Sequence, residues 1–153
     1  QNRLEAIVRA YVEPAFLSSA DLAGGGARFT RLRAVMSAEG NPVVGRIIAE
    51  IFDDTTNAFI DAVQQSLPQV SRTAIVWRSQ FLLGALYYTL VSPERVSRLS
   101  LGEVDGADTA EAIEELVAAT VAALQAPDVN RATPAKLSIP PKATSRHAVV
   151  AKA

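Results

Sequence analysis

The chain has 153 residues, of which 49% are apolar and none is cysteine. That length allows one domain with its own core, whereas the composition excludes an intrinsically disordered chain, a disulfide framework and a thiolate zinc site. Residues 1–126 contain 10 arginines and 15 acidic residues, a net charge of −5, while residues 127–153 carry +4, so the larger part has no electrostatic footprint for nucleic acid.

Apolar residues at spacings of three and four predict five helices. The first covers residues 3–18, and Pro14 is expected to kink it or to start a new turn. Residues 21–26 end in three consecutive glycines and predict a flexible loop. A phosphate-binding loop is the alternative, but no strand precedes the glycines and no Lys-Ser or Lys-Thr pair follows them. The second helix covers residues 27–39 and ends at Gly40.

The third helix covers residues 42–66, because Asn41 suits the N-cap and Pro42 suits the first helical position. Its apolar residues form a wide stripe. Acidic residues on this helix offer a divalent metal site as one interpretation and a solvated helix face as the other: Glu50, Asp53, Asp54 and Asp61.

The fourth helix covers residues 72–92, with Ser71 as the expected N-cap and Pro93 as the residue that stops it. From Phe81 to Val91 the helix is apolar nearly all round. Such a helix must be covered on more than one side. A loop is expected after Pro93.

The fifth helix covers residues 109–125, capped by Asp108 or Thr109. Residues 127–153 contain three prolines beyond Pro127 and scattered bases, which predicts an extended tail with a short strand at residues 147–150 as the exception. The tail could simply aid solubility, contact phosphates or an acidic partner, or pack across a second copy of the chain.

The fourth and fifth helices together predict a surface for pairing with a second copy of the chain. Two such helix pairs would form a four-helix bundle about a two-fold axis. Small residues allow close helix approach, and a mid-helix glycine costs about 1 kcal/mol against alanine, so a close contact would explain Gly84. The alternative is that Gly84 faces a bulky neighbour in the same chain. The expected contacts are Gly84, Ala85, Thr89, Leu116, Ala119 and Ala123.

Three segments resemble one family. The stretch Trp77-Arg78-Ser79-Gln80-Phe81-Leu82-Leu83-Gly84-Ala85-Leu86 resembles the penultimate helix of tetracycline repressor-like (TetR family) regulators, residues 4–14 resemble the helix after their linker helix, and residues 116–127 resemble their closing helix. The resemblance covers residues 3–127. It implies a two-domain transcriptional regulator, in which an N-terminal helix-turn-helix binds operator DNA and an all-α C-terminal domain dimerises and holds a small effector.

The sequence departs from that pattern in one respect. No helix-turn-helix followed by a basic recognition helix is present, and Gln1 is an unusual first residue, which favours a fragment of a longer protein. This polypeptide alone is therefore not expected to bind operator DNA specifically.

The resemblance also implies an effector pocket walled by the middle helices of residues 1–126. An aromatic lining with few charges would suit an uncharged or hydrophobic effector. The alternative is that these side chains are ordinary core residues. The expected walls are Tyr11, Phe16, Phe29, Met36, Phe52, Thr56, Phe59, Trp77, Phe81 and Tyr88.

The leading hypothesis is therefore the effector-binding and dimerisation domain of a TetR-like regulator, which the resemblance implies to be a repressor. A structural homodimer without a ligand and a small helical enzyme are the alternatives. An enzyme is disfavoured, because a nucleophile–base pair usually needs histidine or cysteine and the chain has one histidine, His147, and no cysteine. No cofactor or membrane span is expected, and a cytoplasmic location is the default because the apolar runs are short and no signal peptide is evident.

Overall fold

The computed structural model describes residues 3–20, 32–33, 35–36 and 40–129. Within them it contains no strand and five helices: α1 (Arg3–Ala20), α2 (Pro42–Ser66), α3 (Arg72–Val91), α4 (Pro93–Leu99) and α5 (Thr109–Gln125). Residues 32–33 and 35–36 are also helical, as the second predicted helix requires. The predicted glycine loop, the rest of that helix and the tail from residue 130 lie outside the described residues. No helix in the described ranges has the length and apolarity to cross a membrane.

Side-chain caps set three of the helix starts where the sequence predicts them. The Asn41 side chain accepts a hydrogen bond from the Val43 N–H at 2.9 Å, and Ser71 accepts one from the Ala74 N–H at 3.2 Å. At the start of α5, Asp108 accepts from two backbone N–H groups, so it is the cap rather than Thr109. These caps satisfy N–H groups that a helix leaves without internal partners.

The core forms around one side of α1. Leu4, Val8, Val12 and Phe16 recur every fourth residue, and each is at most 3% exposed. This stripe faces α2, α3 and α5, and the contact with α5 is the most extensive. The helix continues through Pro14 to Ala20, two residues beyond the predicted end.

Only one side of α3 is buried by the described residues. Ile75, Ser79, Leu82 and Leu86 form that side, and the buried Ser79 hydroxyl donates to the Ile75 carbonyl at 2.8 Å. The remaining apolar side chains of the helix are exposed or half-buried. The sequence predicts that the other sides of α3 are covered as well, but the described part of this chain does not cover them.

The sequence misses the short helix α4, which Pro93 begins, and the predicted loop starts only after it, at residue 100. Proline ends α3 but also suits the first turn of a helix, where its missing N–H has no role. The loop that follows packs back onto this start, where a Cβ atom on Gly106 would overlap the carbonyl oxygen of Pro93. Glycine is therefore required at position 106.

A cluster of three carboxylates around one guanidinium joins α1 to α5. Arg9 donates to both carboxylate oxygens of Glu114, at 2.7 and 2.8 Å, and also contacts Glu5 and Glu13 at 3.3 and 3.4 Å. The hydrogen bonds from Arg9 lower the pKa of Glu114. The Glu114 side chain is 65% exposed, so this pairing is screened by water.

A second arginine ties the end of α5 to the start of α3. Arg78 donates to the carbonyls of Leu124 and Pro127, at 3.0 and 2.9 Å, and lies 3.9 Å from the carboxylate of Asp128. The same carboxylate accepts from the backbone N–H of Ser71 at 3.1 Å. A cation therefore meets the negative end of α5, and an anion meets the positive end of α3. The Arg78 side chain is only 10% exposed.

The pH dependence of stability tests the pairing of Arg9 with Glu114. Because the pKa of Glu114 is lowered in the fold, the pairing stabilises the protein above the unfolded carboxyl pKa of about 4.3. That contribution is lost as the pH falls through the lower folded-state pKa. Glu114→Gln should lower the urea midpoint at about pH 7, and its difference from the original protein should shrink towards acid pH.

Glu115→Gln is the matched control, since Glu115 is the next residue of α5 and is exposed. It removes the same charge without touching Arg9. If both variants lose equal stability at about pH 7, the effect belongs to net charge and not to the pairing with Arg9.

Candidate functional site

A cavity of about 660 Å³ lies between α1, α2 and α3 and is partly open to the surface. Its volume is in the range of sites that hold small organic ligands, roughly 300–1,000 Å³. The walls come from one side of α1 near Tyr11, from α2 between Ile48 and Thr56, from α3 between Gln80 and Tyr87, and from Arg33. The buried residues of α2 are Phe59, Ile60 and Val63, so only the C-terminal end of this helix packs into the core. The cavity lies beside the rest of α2, which is not packed against the core stripe of α1.

Three of the predicted ligand-binding residues line this cavity: Tyr11, Phe52 and Thr56. The hydroxyl groups of Tyr11 and Thr56 form a hydrogen bond of 3.0 Å across the α1–α2 contact. The Tyr11 ring stacks on Phe59, with centroids 4.3 Å apart. Burial raises the pKa of Tyr11, against the opposing effects of the Thr56 hydrogen bond and the Arg33 charge, so the phenol stays protonated at neutral pH.

Five other predicted residues lie elsewhere. Phe16 and Phe59 belong to the buried core, as the alternative interpretation holds, although Phe59 supports Tyr11 from behind. Trp77, Phe81 and Tyr88 are 54%, 65% and 55% exposed and do not border the cavity. Their spacing of four and seven residues places them on one side of α3, away from the side that carries Leu82 and Leu86.

The two remaining predicted walls come from the second predicted helix. Met36 is helical and half-buried, and it is absent from the described lining of the cavity. Phe29 lies outside the described residues.

Sequence reasoning misses most of the polar lining. Arg33 is the main case, because its guanidinium lies 4.5 Å from the ring centroid of Phe52 and 4.8 Å from that of Tyr87. The sequence predicts Tyr88, and not its neighbour Tyr87, in the cavity wall. In a helix that is apolar all round, the pattern of apolar residues does not show which of two adjacent residues faces the cavity. Other lining residues that the sequence does not single out for ligand binding are Ala10, Pro14, Ala15, Ile48, Asp53, Thr55, Gln80, Leu83, Gly84 and Leu86.

The residues expected at a dimer interface lie on α3 and α5, where Gly84 also borders the cavity and Leu116 packs against the buried core. Gly84, Ala85, Ala119 and Ala123 are exposed, and Thr89 and Leu116 are half-buried. A Cβ atom on Gly84 would meet nothing within 4 Å in the described structure. A bulky neighbour among the described residues therefore does not explain this glycine.

The acidic residues of α2 lie at its surface, and Asp53 also borders the cavity. Glu50, Asp53, Asp54 and Asp61 are exposed, and Asp61 pairs with Arg72 at 2.6 Å. Among the described residues, no group of three or more histidine, cysteine, aspartate or glutamate side chains is arranged to hold a metal ion.

The described helices form an all-α domain with a cavity between three of them. Residues 9–123 match the family model described as "Tetracyclin repressor-like, C-terminal domain". The chain therefore belongs to the tetracycline repressor-like family, whose C-terminal domains are regulatory domains and not enzymes. A search of curated proteins finds no match to the chain.

The hydroxyl pair at the cavity wall can be tested by removing one oxygen. Tyr11→Phe keeps the ring that stacks on Phe59 and deletes the hydrogen bond to Thr56. We expect a loss of about 0.5–1.5 kcal/mol in the free energy of unfolding, measured by urea denaturation. Tyr88→Phe is the control, because Tyr88 is exposed and its loss of a hydroxyl should change stability by less than about 0.5 kcal/mol. Equal effects of the two changes would contradict the assignment.

Proposed function

We propose that this domain is the ligand-sensing and dimerisation part of a TetR-family transcriptional regulator. The observation that carries the sensing role is the cavity of about 660 Å³ beside Tyr11, Phe52 and Thr56. A domain with only a structural role would gain stability by filling such a space with apolar side chains, because its largely apolar walls would then be removed from water. The cavity therefore favours a ligand-binding domain over a ligand-free structural homodimer.

The exposed side of α3 supports the dimerisation role. Trp77, Phe81 and Tyr88 expose large aromatic surfaces, and Trp77 and Phe81 lie with ring centroids 6.0 Å apart. Contiguous apolar surface of this kind marks association sites, and aromatic residues carry much of the binding energy there. Trp77, Phe81 and Tyr88 share the exposed surface of α3 with Gly84 and Ala85, two of the expected interface contacts.

Small residues on α5 suit the same role. Ala119 and Ala123 are exposed on the helix that packs against α3. Alanine loses no side-chain rotamer freedom on burial, so a second helix can approach closely at low entropic cost. We propose that α3 and α5 of two copies form a four-helix bundle about a two-fold axis.

The proposed mechanism couples the cavity to the N-terminal end of the domain. A ligand between α1, α2 and α3 would favour one arrangement of α1 and α2 over another. In a dimeric regulator with helix-turn-helix domains, that shift would alter the spacing of the two DNA-reading heads and release the operator. The regulator would then be a repressor that acts in the cytoplasm.

Gly84→Leu tests the interface. In an isolated domain without ligand the change should not lower stability, since leucine favours a helix over glycine by roughly 0.5–1 kcal/mol and the space beside Gly84, which also borders the cavity, is open. In a close-packed dimer the leucine would separate the helices. We expect Gly84→Leu to weaken association at least tenfold in sedimentation equilibrium, a cost of about 1.4 kcal/mol or more.

Gly45→Leu is the matched control, because Gly45 is also an exposed helical glycine, and a Cβ atom there would meet nothing within 4 Å in the described structure. It lies on α2, outside the proposed interface, and should leave association unchanged. A monomeric original protein at micromolar concentration, or equal association of both variants, would contradict the proposed dimer.

Ala10→Trp tests the cavity. Ala10 is exposed and lines the cavity from α1, so an indole there would occupy the space without displacing a buried side chain. Nile red, a neutral apolar dye, should bind the original protein with increased fluorescence, and Ala10→Trp should bind it at least about tenfold more weakly. Ala6→Trp, also at an exposed alanine of α1 but away from the cavity, should bind as the original protein does. Equal binding by all three proteins would favour the structural homodimer.

A further inference from the structure

One cation lies in the wall of the cavity, between two aromatic rings. The guanidinium carbon of Arg33 is 4.5 Å from the centroid of the Phe52 ring and 4.8 Å from that of the Tyr87 ring. Cation–π attraction to two rings holds the guanidinium in place at the boundary of the cavity. Arg33 therefore already occupies the ring faces of Phe52 and Tyr87 that a positively charged ligand would otherwise bind.

The chemistry of a guanidinium decides what it can offer to a ligand. It carries five N–H donors in its own plane and no acceptor, so it can bind a carboxylate with two hydrogen bonds and still keep another partner. Phe52 and Tyr87 contribute their ring faces, not competing acceptors. Arg33 lines the cavity, so its positive charge borders the space in which a ligand would lie.

A second donor comes from the hydroxyl pair. Tyr11 and Thr56 have two hydroxyl hydrogens and share one hydrogen bond of 3.0 Å. Within the described chain the second hydrogen is therefore available to an acceptor on a ligand. The positive charge of Arg33 acts on the Tyr11 hydroxyl and opposes the rise in its pKa, as expected for two groups that border the same space.

The one carboxylate in the described lining does not cancel this donor set. Asp53 is exposed to solvent, whereas Arg33 is half-buried. A charge in contact with water is screened more strongly than one held between rings. The rest of the lining is largely apolar, with Ile48, Leu83 and Leu86 among its members.

We propose that the cavity binds a small molecule with an apolar body and a carboxylate head, with the head on Arg33 and the Tyr11–Thr56 hydroxyl pair. The proposal rests on the proposed ligand-sensing function and names the class of ligand. It differs from the uncharged effector that the aromatic residues alone predict, because that expectation does not include Arg33.

Three probes with the same ring system test the head group: naphthoate, naphthamide and naphthylmethylamine, substituted at the same ring position. We expect isothermal titration calorimetry on the full chain to give at least about tenfold tighter binding of the carboxylate than of the amide, with the protonated amine weakest. Arg33→Met should abolish the advantage of the carboxylate and change amide binding less than about threefold.

Arg46→Met is the matched control, because it removes the same charge from an exposed position of α2 outside the cavity lining. It should leave the order of the three probes unchanged. Thermal unfolding and circular dichroism of Arg33→Met without ligand establish that the variant folds, and Arg33→Lys, which keeps the charge without the planar donors, should restore part of the preference for carboxylate.

The outcomes separate this inference from the proposed function. Equal binding of carboxylate and amide, or tightest binding of the amine, would overturn the carboxylate assignment while leaving the cavity as a ligand site. A folded Arg33→Met variant that keeps the original preference would also overturn it. Binding of none of the probes by the original protein would overturn the assignment, and failure of Nile red to bind as well would overturn the sensing function.

Discussion

The burial of one stripe of α1 is the constraint on which the rest of the structure depends. Leu4, Val8, Val12 and Phe16 contribute roughly 1.5–3 kcal/mol each when fully removed from water. The stripe meets α2, α3 and α5, so a single helix organises three others. Because the four residues span almost the whole length of α1, the helix must lie along its neighbours, and this places Tyr11, on an adjacent side of α1, against α2.

The cavity and the exposed side of α3 have a common physical origin. The helix α3 is apolar nearly all round, but the described part of the chain buries only one of its sides, the one with Ile75, Leu82 and Leu86. The neighbouring residues Leu83 and Tyr87 then face the cavity, and Phe81 and Tyr88 face outwards. One helix therefore supplies core, cavity wall and exposed surface, each from a different side.

Local signals predict most of the fold. Asn41, Ser71 and Asp108 have side chains that cap helices, and the helices begin directly after them. Periodicity also places Leu4, Val8 and Val12 on one side of α1, whereas Phe16, the fourth residue of the core stripe, is expected in the pocket instead. The short helix α4 escapes prediction because Pro93 marks the end of α3, and the same residue also begins the next helix.

The site is less predictable, for reasons that can be traced to particular residues. Tyr11, Phe52 and Thr56 can be found because they lie on amphipathic helices whose inner side is evident. The aromatic character of Trp77 and Phe81 suggests a place in the cavity, but composition cannot set the rotation of α3 about its axis. Arg33 cannot be found from the sequence at all, since its position between Phe52 and Tyr87 depends on three separate parts of the chain.

The contacts of Arg78 hold the end of α5 against the start of α3. Arg78, whose side chain is 10% exposed, and Asp128 join α3 and α5 at their ends through three hydrogen bonds, so these two helices resist sliding past each other. The corresponding link between α1 and α5, from Arg9 to Glu114, lies at the surface and is easily exchanged for water. By contrast, the part of α2 that borders the cavity, residues 42–58, contains no buried residue, so it has little core packing to resist displacement.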